Sequence, residues 1–407
     1  MKYDLIVIGA GPAGMSAAIK AASYGAKVAI IDENPSAGGK LLGQLHKEPK
    51  SGWWHGGKTA RKMETNLRQT GVTCFQGKEV WAIYPRWKVF MNNGEELQSE
   101  YILIASGAAE KAIPIPGWTL PGAMAVGAAQ TLTNYHRVKP GRKIAIIGVD
   151  PLSLSVAHQL KMAGVHVVGI FLPPDSVFSK DKSSPSKMIS YLSSMAHAAP
   201  NLFFKMAGNL AKYPFIQHVG AKFYPRFGMK IWGIPLYLRK TVLEIGGAVQ
   251  VEHIKVIPVS QEGIPNEDRV KTVDVDCVCI SGGLYPLMEL AGAAGCESVY
   301  IEELGGHIPL HSPEMETTQP GIYVAGNITG IESAKVAMEQ GDLVGTTVAA
   351  KLGLVSCNLI DEAQENVIQA RENAVITFQQ NIAAGREKSQ QYWKEYNSKG
   401  VKLYADS

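Results

Sequence analysis

Short apolar runs closed by glycine turns recur along this chain, and each is followed by a segment whose apolar positions return at helical spacing. Residues 5–8 (LIVI) lead into Gly9-Ala10-Gly11-Pro12-Ala13-Gly14; residues 15–24 read as a helix and 27–31 as the next strand. A continuous apolar run of that length, bounded by turn residues, predicts a strand buried on both faces, as parallel strands joined by helices are. The same rhythm returns at 143–147 (KIAII), with a turn and then Val156, Leu160 and Ala163 at helical spacing. Further apolar strands are predicted before Ala105-Ser106-Gly107 and before Gly326-Asn327, the latter running into a helix. The pattern predicts an α/β fold with two βαβ units.

The first unit has the spacing of a dinucleotide-binding, Rossmann-like turn. Gly9 permits the tight turn, Gly11 lets backbone approach a pyrophosphate, and Gly14 lets helix pack against strand. The N-terminus of the helix that follows this turn, with Pro12 and Ala13 among the turn residues, supplies N–H donors and positive potential. Asp32, 18 residues beyond Gly14 at the end of the next strand, suits the ribose hydroxyls, with Glu33 as its backup. A lone G-x-G-x-x-G is weak evidence; here strand, helix, second strand and terminal acid are in register. In the following loop, AGGKLLGQLHKEP (37–49), Gly38 and Gly39 let backbone lie close to a cofactor, and Lys40 and Gln44 are candidates for its edge. Val80 belongs to the same candidate set. Trp53, Trp54 and His55 either flank that site or serve packing and surface.

The second unit keeps the position of such a turn but not its residues. In GVDPLSLSVA (148–157) the second and third glycines are Asp150 and Ser153. A carboxylate set ~4 Å from a diphosphate repels it by about 4 kcal/mol per charge pair at an effective dielectric near ~20, which corresponds to about a thousandfold in affinity. Eighteen residues past Ser153 stands Phe171, neither a carboxylate for a 2′-hydroxyl nor an Arg for a 2′-phosphate; Asp175 comes only after Pro173-Pro174. The sequence leaves three outcomes: no NAD(P) site, a different ligand, or ordinary NAD(P)H binding.

Composition narrows the picture modestly. The 407 residues allow two or three domains, and 42 glycines suit many tight turns. A net charge of +4 argues no nucleic-acid partner. No apolar run has the length of a membrane span, and the first strand begins too early for a signal peptide, so a cytoplasmic protein is expected, with a peripheral place at the inner membrane face as the variant. The five cysteines form no C-x-x-C pair, and no metal site is expected; Cys277 and Cys279 point the same way on an apparent strand and read as core thiols. Residues 151–240 carry nine Lys and two Arg against two Asp and no Glu. That excess reads as a solvated face, a docking face for an acidic partner, in which Phe223, Tyr224, Phe227 and Trp232 would take part, or a membrane-surface patch.

The stretch EKAIPIPGWTLPGAMAVGAAQTL (110–132), the first turn, the G-G-K loop and AGNITGIESAKVAMEQGDLVG (325–345) together resemble one family over roughly residues 1–355. It is that of the opine oxidase A subunit, the hydrogen cyanide synthase B subunit, and the α-subunits of dye-linked proline dehydrogenases. The resemblance implies a glutathione/thioredoxin reductase-like architecture. An FAD-binding domain (1–112 and 300–355) would surround a second, NAD(P)-type domain (113–299) with a degenerate turn and a helical, basic insertion at 176–235; a helical tail (356–407) would follow. Ala105-Ser106-Gly107 and Gly326-Asn327 would match the two later FAD signatures. Asn327 stands where an Asp is usual; its amide accepts through oxygen and also donates, which implies an altered ribityl contact.

The function so implied is an FAD-dependent oxidoreductase, the electron-relaying subunit of a heteromeric dye-linked dehydrogenase for CH–NH or CH–NH2 donors of an opine, proline or glycine type. Its expected partners are a small iron–sulfur protein and a second, amine-oxidising flavoprotein subunit. Cys357 alone stands where some relatives carry a cysteine-rich module. A self-sufficient NAD(P)H-dependent flavin reductase and a non-redox FAD-binding scaffold are the alternatives. No residue is singled out as acid, base or hydride donor, because the flavin carries that chemistry.

Overall fold

The computed structural model describes residues 1–48, 52–194, 228–374, 378–379 and 381–399. The chain divides into two compact units, one of residues 1–42, 55–109 and 284–407, the other of 43–54 and 110–283.

The first unit is built on a seven-stranded sheet in the order Thr73–Gln76, Val28–Asp32, Lys2–Ile8, Glu96–Ile104, Lys88–Met91, Val80–Tyr84, with Ile322–Val324 also pairing with Glu96–Ile104. Lys2–Ile8 lies parallel to both neighbours, Leu5 opposite Val28 and Ile8 opposite Ile104. Leu5, Ile6 and Val7 are fully buried, as an uninterrupted apolar run requires when both faces of a strand are covered. On one face Ile6 and Ile8 pack with Ala29, Ile31, Ile102 and Ile104.

Helix Pro12–Ser23 packs against helix Ala334–Lys351, and small residues set how closely. A Cβ on Gly341 would lie 2.1 Å from the Ala13 carbonyl oxygen, and one on Gly345 would lie 2.7 Å from that of Ala17. Two C-terminal helices, Asn358–Glu372 and Ile382–Lys399, belong to this unit.

The second unit holds an eight-stranded sheet in the order Ala123–Ala125, Cys277–Ile280, Lys143–Ile147, His166–Leu172, Ile234–Gly246, His253–Pro258, Lys271–Asp274, with Met229–Ile231 also pairing with Ile234–Gly246. The pairings from Ala123–Ala125 through Ile234–Gly246 are parallel and the outer ones antiparallel. Cys277 and Cys279 lie fully buried in one core layer with Ile144, Ile146, Val156 and Leu160. A hydrogen bond with Cys277 and burial push the Cys279 thiol well above its ordinary pKa, so it behaves as a packing group.

Three sequence-based boundaries differ from the structure. The compact units divide at 109/110 and 283/284, not at 112/113 and 299/300, because strands Leu284–Pro286 and Ser298–Ile301 cluster with the first unit. The C-terminal helices are part of that unit and do not stand apart from it. Within the helical, basic insertion at 176–235, Pro185–Ser194 is a helix, and Met229–Ile231, in its aromatic, basic part, is a strand antiparallel to the start of Ile234–Gly246. Trp232 sits in the intervening turn at φ +50°, its ring stacked on His158 at 4.6 Å. Residues 195–227, with Phe223, Tyr224 and Phe227, lie outside the described residues.

Candidate nucleotide sites

Two of the three glycines of the first turn are required by backbone sterics. Gly9 has φ +102°, and a Cβ there would lie 2.4 Å from the Ala105 carbonyl oxygen. A Cβ on Gly14 would lie 1.9 Å from the carbonyl oxygen of Gly9. Gly11 is different: its φ of −73° suits any residue, and a Cβ there would meet nothing within 4 Å. The space above Gly11 is open where the helix begins. Gly11 is also the N-cap and supplies no side-chain hydrogen bond, Pro12 leads the helix, and its first turn carries no acid. The N-terminal end of the helix dipole thus has no anion within its own first turn.

The rest of the predicted set gathers here in part. Asp32 is buried at its strand end, Oδ2 accepting from Ala10 N at 2.5 Å and Oδ1 from Asn34 N at 2.8 Å. The loop of Gly38 and Gly39 lies against the turn: Gly38 N donates to Ala10 O at 2.8 Å, and a Cβ on Gly39 would sit 3.2 Å from Gly11 Cα. Ala105 borders Gly9, and a Cβ on Gly326 would lie 3.0 Å from the Ala13 Cβ. Lys78 N donates to Asp32 O at 3.0 Å, which brings Val80 to within two residues of that contact. Gly107 has φ +78° with open space beside it.

Other members are occupied elsewhere. Ser106 Oγ donates to Leu287 O at 2.6 Å. Asn327 Oδ1 accepts from Glu332 N at 3.2 Å, so its side chain braces its own loop. Glu33 and Lys40 are exposed. Gln44 falls in the second unit, where its Oε1 accepts from Trp54 Nε1 at 3.1 Å. His55 Nδ1 accepts from Lys58 N at 3.3 Å and so caps helix Gly56–Gln69.

Sequence reasoning missed the groups that hold the late turn. Gln340, fully buried, accepts from Gly326 N at 2.7 Å. Glu332 pairs with Arg371 and Arg386. Burial works to raise the Glu332 carboxyl, but the two guanidinium groups more than offset it and hold the carboxyl below its ordinary range. Gln340 and Glu332 lie inside the stretch that carried the motif; the two arginines come from the tail, and no local pattern marks them.

The second turn repeats the first in backbone and departs from it in chemistry. Gly148 has φ +108°, and a Cβ on it would lie 2.1 Å from the Ser281 carbonyl oxygen, as one on Gly9 would approach Ala105. Asp150, however, caps its own helix, Pro151–Met162. Its Oδ1 accepts from Ser153 N at 2.7 Å and its Oδ2 from Ser281 Oγ at 2.6 Å, while Ser153 Oγ accepts from Asp150 N at 2.9 Å. All three residues are buried. The helix terminus that a phosphate would use therefore already holds a carboxylate. Lys182 Nζ donates to Gly282 O at 2.5 Å, and burial lowers its pKa against the opposing pull of Asp150. Phe171 is a core residue stacked on Tyr237 at 5.0 Å.

The family model for pyridine nucleotide-disulphide oxidoreductases matches residues 3–186. The A subunit of opine oxidase from Agrobacterium tumefaciens (strain Ach5) is 28% identical over 372 residues, 87% of this chain and 67% of that protein. Hydrogen cyanide synthase subunit HcnB of Pseudomonas aeruginosa is 25% identical over 393 residues, 94% of this chain and 78% of its own. The crystal structure of L-proline dehydrogenase from P. horikoshii shares the fold with a TM-score of 0.63 at 18% identity, covering 91% of this chain and 59% of that one. The chain thus spans about two thirds of the opine oxidase protein, and less of the proline dehydrogenase chain.

Proposed function

We propose that this chain is the FAD-binding subunit of a heteromeric oxidoreductase that removes electrons from a carbon–nitrogen bond of an amino-acid-type substrate. One contrast carries the reading: the first helix terminus is open and uncapped beside a buried acid, whereas the second is closed by Asp150. One dinucleotide site is available, and an oxidoreductase that holds one dinucleotide as its resident group fits a flavin better than a reductase needing both FAD and NAD(P)H.

The residues present suit FAD. The free N–H groups at the start of helix Pro12–Ser23 would hold its pyrophosphate, with Gly11 giving the clearance. Asp32 would accept from the adenosine ribose, keeping its bond to Ala10 N. Gly39 and the turn Gly326–Thr329 would border the rest of the cofactor. When bound, the flavin supplies a reversible two-electron acceptor; this chain's residues bind it, orient it and set the charge around it.

The homologous proteins are named as subunits of an oxidase and a synthase, which supports a partner subunit; in our reading that partner carries the amine-oxidising step and an iron–sulfur protein is a further acceptor. Among the described residues no helix is long and apolar enough to cross a membrane, and we place the complex in the cytoplasm. The test is co-expression with the genes beside it followed by size-exclusion chromatography. A partner should co-elute and confer amine-dependent dye reduction. A chain that elutes alone and already oxidises an amine refutes the subunit reading, and one that takes up no FAD refutes the cofactor assignment.

A further inference from the structure

Arg386 lies in the last helix, beyond every motif, yet it is among the most buried charges in the first unit, 9% exposed. Its Nη1 donates to Thr329 O at 2.6 Å, and its Nη2 donates to Thr329 Oγ1 at 3.3 Å and to the Glu332 carboxylate. Its Nε is buried with no partner among the described residues. Arg371 reaches the same carboxylate, Nε to Oε1 at 2.9 Å and Nη2 to Oε2 at 3.3 Å. His311, buried, bonds through Nδ1 to Pro309 O at 2.9 Å; burial first and Arg386 second bring its pKa down to about 4, so it adds no charge. Two guanidinium groups thus face one carboxylate, so the cluster keeps a net positive charge, with Arg386 its buried cation and Arg371 its more exposed one.

Stability alone does not account for that arrangement, since an apolar side chain would fill the space without the desolvation cost. The location does. Thr329 ends the turn that begins at Gly326, which abuts Ala13 in the first turn of helix Pro12–Ser23. Ser333, four residues on, caps helix Ala334–Lys351. The N-terminal part of one helix, the capped start of a second and the excess guanidinium charge flank one short turn, and each favours negative charge nearby.

Resting on the flavin reading above, we propose that Arg386 is a positioning residue of the cofactor site. It pins the 326–333 turn through Thr329 and Glu332, and it supplies buried positive charge that stabilises negative charge on the bound isoalloxazine. The C-terminal helices are then part of the redox site.

Sulfite tests this without turnover. Its sulfur lone pair forms a bond to N5 of an oxidised flavin and moves an electron pair into the pyrimidine end of the ring, so adduct affinity reports positive charge nearby. Sulfite titrations of the flavin-loaded protein should show an adduct in wild type, weakened at least about tenfold in Arg386→Met and largely kept in Arg386→Lys. Glu332→Gln, which removes the opposing carboxylate, should tighten it. Thermal melts and flavin stoichiometry identify any variant that fails to fold. If Arg386→Met does not fold, an unchanged or weaker affinity in Glu332→Gln overturns the inference. So does equal affinity in a folded Arg386→Met, or a flavin-loaded wild type that forms no adduct, and either leaves the flavin reading standing. A wild type that binds no FAD overturns that reading itself, and the inference with it.

Discussion

Asp150 and Ser153 hold each other across the start of a helix, the carboxylate accepting from Ser153 N at 2.7 Å and the hydroxyl accepting from Asp150 N at 2.9 Å. The two residues that break the glycine pattern of the second turn are therefore a reciprocal cap. What reads in sequence as a damaged site is in the structure a well-satisfied helix terminus.

The cap leads to a prediction for nicotinamide nucleotides. Anaerobic mixing of the FAD-loaded protein with NADH or NADPH should leave the visible flavin band unbleached. Rapid bleaching by either would show that the second unit binds them despite Asp150. The same cap has a stability signature: Asp150→Ala should lower stability by about 1–2 kcal/mol in urea melts, since it removes the cap and leaves Ser281 Oγ without its acceptor.

The glycines of the first turn should separate fold from affinity. Gly14→Ala drives a Cβ to 1.9 Å from a backbone oxygen and should cost more than about 3 kcal/mol, or abolish folding. Gly11→Ala meets no neighbour and needs no unusual φ, so its melting curve should shift by less than about 1 kcal/mol. Its FAD affinity should nonetheless fall about tenfold or more, because the methyl group enters the space a pyrophosphate needs. Equal FAD affinity in Gly11→Ala and wild type would place the cofactor elsewhere.

A pH effect follows from Asp342 in helix Ala334–Lys351. Burial raises its pKa from the ordinary 3.8 to about 6, against the pull of Lys20. The folded state then binds the proton more tightly than the unfolded chain, so the group's stabilising contribution is complete below about 3.8 and is lost as pH rises through about 6. Asp342→Asn should therefore stabilise the protein by roughly 3 kcal/mol near pH ~8 and change little near pH ~3. Chemical denaturation at the two pH values checks this; an equal effect at both contradicts it.

The elements around the first turn were legible in sequence because their causes are local. A strand buried on both faces needs a continuous apolar run, and a turn passing 2.4 Å from a neighbouring carbonyl, measured from the missing Cβ, admits only glycine. Such requirements leave fixed residues at fixed spacing, so 5–8, Gly9, Gly14 and Asp32 could be placed from their neighbours alone. The same held for Cys277 and Cys279, whose common face follows from the period of a strand.

What the sequence by itself left open depends on partners far along the chain. Asp150 reads as a defect until Ser281, 131 residues away, completes its hydrogen bonds. Trp232 is open in the sequence between a docking surface and packing, and a hairpin turn brings its ring onto His158. Gln44 follows the G-G-K loop directly, yet tertiary packing assigns it to the other unit, bonded to Trp54. Arg386 gives no local signal, because its value lies in Glu332 and Thr329, more than fifty residues earlier. Backbone sterics act between neighbours and write themselves into spacing; charge compensation acts through space, and only the folded chain decides which groups meet.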